Sequence, residues 1–305
     1  MIWGGVFVHL FLLISGYLCG IKSVALKNAK QWYFKRYARI MVPVMLWSLL
    51  LIIFSLIQNQ FENGFITSFF GLIGFGWILP FSLPSTPAID HLWYVTVILL
   101  CYLMVPVLDR LDKKVKKQTI AISYAALVIL QIILINFKIQ LVFFLQFLLG
   151  YIIAKRNVEI THKKVILSAA GMFTICALRI ILRRFSVNEV LYAGVIAEWS
   201  ENLICLFVFF LIAWISNKKK AAAEAISRNA VVKKLDKMSC HLYITHYAFL
   251  HGMLCVAGLN ISSKALELVV FLILTVIASW ALYVADAAVS KHITKNLWQE
   301  PIDEN

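Results

Sequence analysis

Nine long apolar runs, each bounded by short clusters of lysine and arginine, constrain this chain more than any other feature. Windows of about 19 residues place them near residues 3–20, 40–57, 91–108, 119–136, 139–154, 165–182, 196–215, 239–258 and 266–286. Inside a bilayer every backbone amide and carbonyl must be paired within protein, so only helices and closed barrels cross. The runs are continuous and do not alternate, which excludes a barrel. The expectation is an all-α, polytopic membrane helix bundle. Composition agrees. Of the 305 residues, 62% are hydrophobic and 14% charged, against about 25% charged in soluble proteins.

A tenth apolar stretch, 65–83, carries Gly71, Gly74, Gly76 and Pro80, with Pro84 and Pro87 just beyond. These breakers argue against an ordinary helix. The positive-inside bias points the same way. If 65–83 does not cross, one side of the membrane holds all 29 Lys and Arg residues except Lys138, Arg179, Arg183, Arg184 and Lys264. If it crosses, that bias collapses. The prediction is therefore about nine spans plus one re-entrant or extracytoplasmic segment. A single integral membrane domain is expected over 1–290, followed by a short cytoplasmic tail, 291–305. Ser216 to Lys237 reads as a basic cytoplasmic loop. The runs and their charge bias imply a multi-pass membrane protein with its C-terminus cytoplasmic; a bacterial plasma membrane is the expected location.

The same bias makes the first span run from outside to inside. One further helix ahead of Met1 would put both termini in the cytoplasm, so a missing first helix is expected. The alternative is a short uncharged N-terminus that slips across.

The net charge of +14 is dispersed between spans. That pattern suits topology and contact with anionic lipid and argues against nucleic acid. Cys19, Cys101, Cys176, Cys205, Cys240 and Cys255 lie in or at the ends of apolar runs without a CxxC pair. They read as small hydrophobes, not as a disulfide framework or a zinc site. No basic region precedes the first run, so it is not a signal peptide.

Ionisable groups at membrane depth are costly and are candidates for function. Arg36 and Arg39, three apart and so on one helix face, suit the phosphates of a nucleotide-like donor. Positive-inside anchoring explains them as well. His9 lies mid-run and suits either a general base or a hydrogen-bonded core. His91, Trp93 and Tyr94 follow Asp90 and open a span. Such a cluster fits a sugar, or an aromatic belt. Glu198 and Glu201 fit pairing with Arg183 or Arg184, or a polar cavity. Asp286 is placed at the interface end of the last span. His241, His246 and His251 recur every five residues, walk around a helix and do not make a metal site.

Five segments in order bear a resemblance to the membrane-bound acyltransferase-3 family, covering nearly the whole chain. VFVHLFLLISGYL (6–18), with Ser15, Gly16 and Tyr17, resembles its second helix. WYFKRYARIMVPVMLWSLL (32–50) resembles its third, putting Arg36 and Arg39 on the family's paired arginines and Pro43 on its proline. HLWYVTVILLCYLMVPVL (91–108), FLLGYIIAKR (147–156) and MSCHLYITHYAFL (238–250) are similar to later segments, the last with Ser239, Tyr243 and His246 on matching positions.

The resemblance implies ten core helices and an acyl-CoA co-substrate on the cytoplasmic side, taken as acetyl-CoA, with no bound cofactor. Arg36 and Arg39 become donor-binding residues. His91, Trp93, Tyr94, Glu198, Glu201, Tyr243 and His246 are assigned to the acceptor or its cavity. The acceptor is expected to be a glycan or lipid-linked sugar, O-acylated at the cell surface. Membrane lipids are the other expected partner. The family's catalytic histidine belongs to a helix ahead of Met1, and His9 stands where the family often has Asp. Residues 1–305 alone are therefore expected to be inactive or nearly so. An exporter of polysaccharide or small solutes, or a non-catalytic membrane protein, are the competing readings.

Overall fold

Each apolar run becomes a helix in the computed structural model, because a helix pairs its own backbone groups. The structure describes residues 3–22, 29–57, 90–112, 117–134, 141–184, 196–251 and 254–297. The segment 65–83 lies outside them. The described helices are α1 (Trp3–Ile21), α2 (Ala29–Ile57), α3 (Trp93–Asp112), α4 (Lys117–Leu134), α5 (Val142–Lys155), α6 (His162–Arg184), α7 (Glu198–Lys218), α8 (Lys220–Arg228), α9 (Ala230–Leu250) and α10 (Lys264–Leu297). Among the described residues, five stretches are long and apolar enough to cross a bilayer: Ala29–Phe54, Trp93–Asp112, His162–Arg184, Glu198–Lys218 and Lys264–His292. Gly5–Ile21, Ile122–Ile133 and Val142–Lys155 are apolar but shorter.

Exposed side chains fit a lipid-facing surface. Helix α6 turns Ile166, Leu167, Phe173 and Ile180 outward, and Ser168 is its buried residue. In water such a helix would be untenable, whereas in hydrocarbon it costs nothing.

Four boundaries differ from the sequence reading, the simplest being the run 239–258, whose helix ends at Leu250. The residues Lys30, Lys35, Arg36 and Arg39 stand on α2, which begins at Ala29, ahead of the apolar run 40–57. Hydropathy windows discard a helix's charged first turns, although Trp32, Tyr33 and Tyr37 let those turns continue through the interface. The stretch Ser216 to Lys237 is helical almost throughout, for a related reason. Its Ala, Lys and Glu are good helix formers. Asn229 separates α8 from α9, and its side chain accepts from the amides of Val231 at 2.9 Å and Val232 at 3.3 Å. At the other end α10 continues to Leu297, past the expected start of the tail.

The chain forms two compact units. In the first, residues 1–29 and 103–227, α1 packs against α5 and α7, α6 against α7, and α4 against α5. Leu13, Ile153, Cys205 and Phe209 form its core. The α1–α5 crossing depends on glycine. A Cβ on Gly16 would strike the Phe147 carbonyl, and one on Gly150 would strike the Leu13 carbonyl. A Cβ on Gly20 would lie 2.6 Å from the Tyr151 carbonyl. Without a hydrophobic force between helices, such close backbone approach is what associates them in lipid. The Ser15-Gly16-Tyr17 segment is thus part of a helix contact, and Gly16 and Gly20 form a GxxxG pair.

The second unit, residues 30–102 and 228–305, holds α9, α10, most of α2 and the first half of α3. Met41, Val44, Trp47, Leu51, Val95, Leu99, Ile244, Ala248 and Leu282 are in its core. Helices α9 and α10 pack together, joined by Thr245 and Ser279, whose hydroxyls lie 2.7 Å apart. Pro43 lies inside α2, where it withdraws the amide that would bond the Arg39 carbonyl.

Candidate functional site

In the second unit, Arg36 is held by aromatic rings on two helices. Its guanidinium carbon lies 5.4 Å from the Trp32 ring centroid and 5.4 Å from that of Tyr102. Those rings meet edge to face at 5.8 Å. Cation–π contact of this kind fixes the planar head while leaving its N–H edge able to donate. Arg39 lies one turn further along α2 and is exposed.

His91, Tyr94, Tyr243 and His246 come together in the same unit. The ring of His91 lies 5.2 Å from Tyr243, 5.2 Å from His246 and 4.7 Å from Tyr247, stacked on the last. Tyr94 meets Tyr243 edge to face at 5.4 Å. Tyr243 Oη donates to the His91 carbonyl at 2.6 Å, and His91 Nε2 donates to the Tyr243 carbonyl at 3.0 Å. His246 Nδ1 donates to that same carbonyl at 2.7 Å. Trp93 is partly buried at the first position of α3. The three histidines spaced by five have three surroundings: Asp286 for His241, the His91 cluster for His246, and the Tyr247 ring at 5.2 Å for His251.

Glu198 and Glu201 belong to the first unit and turn toward α1. Glu198 Oε2 lies 3.6 Å from His9 Nε2. The carboxylate of Glu201 occupies the space a side chain on Gly5 would need, and His9 and Arg179 act on it electrostatically. His9 is fully buried and stacks on Phe143 at 5.0 Å. Arg179 donates to Ser200 Oγ at 2.6 Å. The pairing expected with Arg183 or Arg184 is therefore corrected. Those two are exposed at the end of α6, and the basic neighbours of these glutamates are His9 and Arg179.

Two polar groupings escaped the sequence. Asp109, buried in α3, accepts from Tyr151 Oη at 2.7 Å and Lys155 Nζ at 2.5 Å. Arg156 pairs with Asp112 at 2.7 Å. The sequence signal was there: Asp109 and Asp112 are acidic residues beside a basic cluster. Asp286, expected at the interface end of the last span, lies within α10 with its Oδ2 3.0 Å from His241 Nε2 on α9.

Residues 1–284 match the family model of the acyltransferase-3 type, described as an acyltransferase domain. No curated protein and no solved structure matches the chain.

Proposed function

Because this chain belongs to the acyltransferase-3 family, we propose that it is a membrane O-acyltransferase. It moves an acyl group, assigned as acetyl, from acyl-CoA to a hydroxyl of a cell-surface or exopolysaccharide sugar. The observation that carries this reading is Arg36, held between Trp32 and Tyr102 with Arg39 one turn along the same helix. Two guanidinium groups near the start of a membrane helix suit the phosphates of coenzyme A, since each fork can donate to two phosphate oxygens. The loop charge bias supports a cytoplasmic donor.

His91, Tyr94, Tyr243 and His246, with Trp93 beside them, are the acceptor-side residues in this reading. Aromatic faces suit the C–H surfaces of a sugar. Glu198 and Glu201 are engaged with α1 and serve the packing of the first unit.

The test uses the purified protein in lipid nanodiscs and the native host deleted for the gene. Wild type binds acetyl-CoA and restores alkali-releasable acetate to the envelope glycan. The double variant R36A/R39A loses both while retaining its thermal transition. Unchanged acetyl-CoA binding in that variant would overturn the donor site. A wild-type protein that adds no alkali-releasable acyl group would overturn the O-acyl transfer.

A further inference from the structure

We propose that His241 and Asp286 are a proton-handling pair for acyl transfer, with His241 Nδ1 as the atom that takes and returns the proton. The proposal rests on the acyl-CoA reading above. His241 is outside the positions carried by the family resemblance, and Asp286 lies in a different helix.

The geometry supplies the tautomer. His241 Nε2 and Asp286 Oδ2 are 3.0 Å apart. An ionised carboxylate only accepts, so this bond keeps the proton of a neutral imidazole on Nε2 and leaves the lone pair on Nδ1. Asp286 is itself held in place, since Ser290 Oγ donates to its other oxygen at 2.9 Å. The Tyr283 ring meets the imidazole edge to face at 5.4 Å. A histidine oriented by a carboxylate in this way is the arrangement that hydrolase triads use for general base catalysis.

Two further observations point to chemistry rather than packing. His241 is 4% exposed, and its Nδ1 is buried without a hydrogen-bond partner among the described residues. A buried acceptor left unpaired is costly and needs an explanation. A hydroxyl or thiol of a bound substrate would satisfy it. The second observation is position. Asp286 and Arg39 both act electrostatically on Cys240, the residue beside His241. The pair therefore shares its neighbourhood with one of the arginines assigned to the donor.

The step balances without another reagent. The acceptor hydroxyl oxygen attacks the thioester carbonyl carbon, and its proton passes to Nδ1. The new carbon–oxygen bond forms, the carbon–sulfur bond breaks, and coenzyme A leaves as its thiolate. Nδ1 returns the proton to sulfur, giving the ester and the free thiol. Asp286 stabilises the imidazolium in between and acts as a positioning residue.

His241→Gln is the informative variant, because Gln can still donate toward Asp286 but has no basic lone pair. It is compared with D286N, D286E and R36A/R39A in nanodiscs, reading acetyl-CoA binding, the thermal transition and coenzyme A release in the presence of envelope glycan from the native host. H241Q is expected to bind acetyl-CoA as wild type does and to lose turnover by ~100-fold or more. D286N lowers kcat with KM unchanged, and D286E recovers part of it. Wild-type turnover in H241Q overturns the proposal and leaves the acyltransferase reading standing. Loss of the thermal transition together with acetyl-CoA binding in both H241Q and D286E assigns the pair to packing and also overturns it. Failure of wild type to bind acetyl-CoA overturns the donor reading, and this proposal with it.

Discussion

His91 and Tyr243, 152 residues apart in the chain, each donate a hydrogen bond to the other's backbone carbonyl. This double bond clasps the start of α3 onto α9. Tyr243→Phe removes one of the two and should cost about 1 kcal/mol. The measurement is the thermal transition in nanodiscs. H91Q, which can still donate, should lose less stability than H91A. Equal losses in those two variants would show that the ring contacts, not the bond, hold the clasp.

Arg36→Lys keeps the charge but gives up the planar head that lies against Trp32 and Tyr102. A charge-assisted hydrogen bond is worth about 1.5–3 kcal/mol. Removing the fork should therefore weaken acetyl-CoA affinity by roughly tenfold or more. The deficit of R39A, at an exposed position, should shrink as salt is raised. Titration of acetyl-CoA at two ionic strengths checks both statements.

Gly16→Ala is predicted to loosen the first unit. The added carbon would meet the Phe147 carbonyl, which belongs to backbone and cannot rotate away. Overpacking of this kind costs about 1–3 kcal/mol. Gly258→Ala is the matched control, since a Cβ there would meet nothing within 4 Å. The thermal transitions of the two variants should differ clearly, and equal values would refute the close crossing of α1 and α5.

Asp109→Ala leaves Lys155 Nζ and Tyr151 Oη without their shared acceptor. Breaking one side of a buried pair costs about 3–5 kcal/mol. The double variant D109A/K155L removes the stranded charge and should recover much of the loss. Recovery of folded protein in detergent chromatography reads the difference.

Much of the fold was legible because hydropathy is a local property. The runs at 3–20, 165–182 and 196–215 fall on α1, α6 and α7 with small shifts at the ends. Where charge and helix coincide, the same reading failed. The start of α2 falls outside the run 40–57, and 216–237 reads as a loop, because hydropathy registers polarity and not helix propensity. The candidate site was legible in part. His91, Tyr94, Tyr243 and His246 were singled out separately and do meet. Within the first unit, Glu198 and Glu201 face His9 and Gly5 on α1.

The sequence by itself determined that this chain is a bundle of apolar helices of the acyltransferase-3 type. Burial in lipid and the order of short segments are both written along one dimension. Only the tertiary structure decided which polar groups answer one another: Arg36 with Trp32 and Tyr102, Asp109 with Tyr151 and Lys155, His241 with Asp286. The physical reason is that a polar side chain at membrane depth must find a partner. That partner often stands on another helix, at a rotation and depth set by packing, such as the glycine crossing of α1 and α5, and not by spacing in the chain.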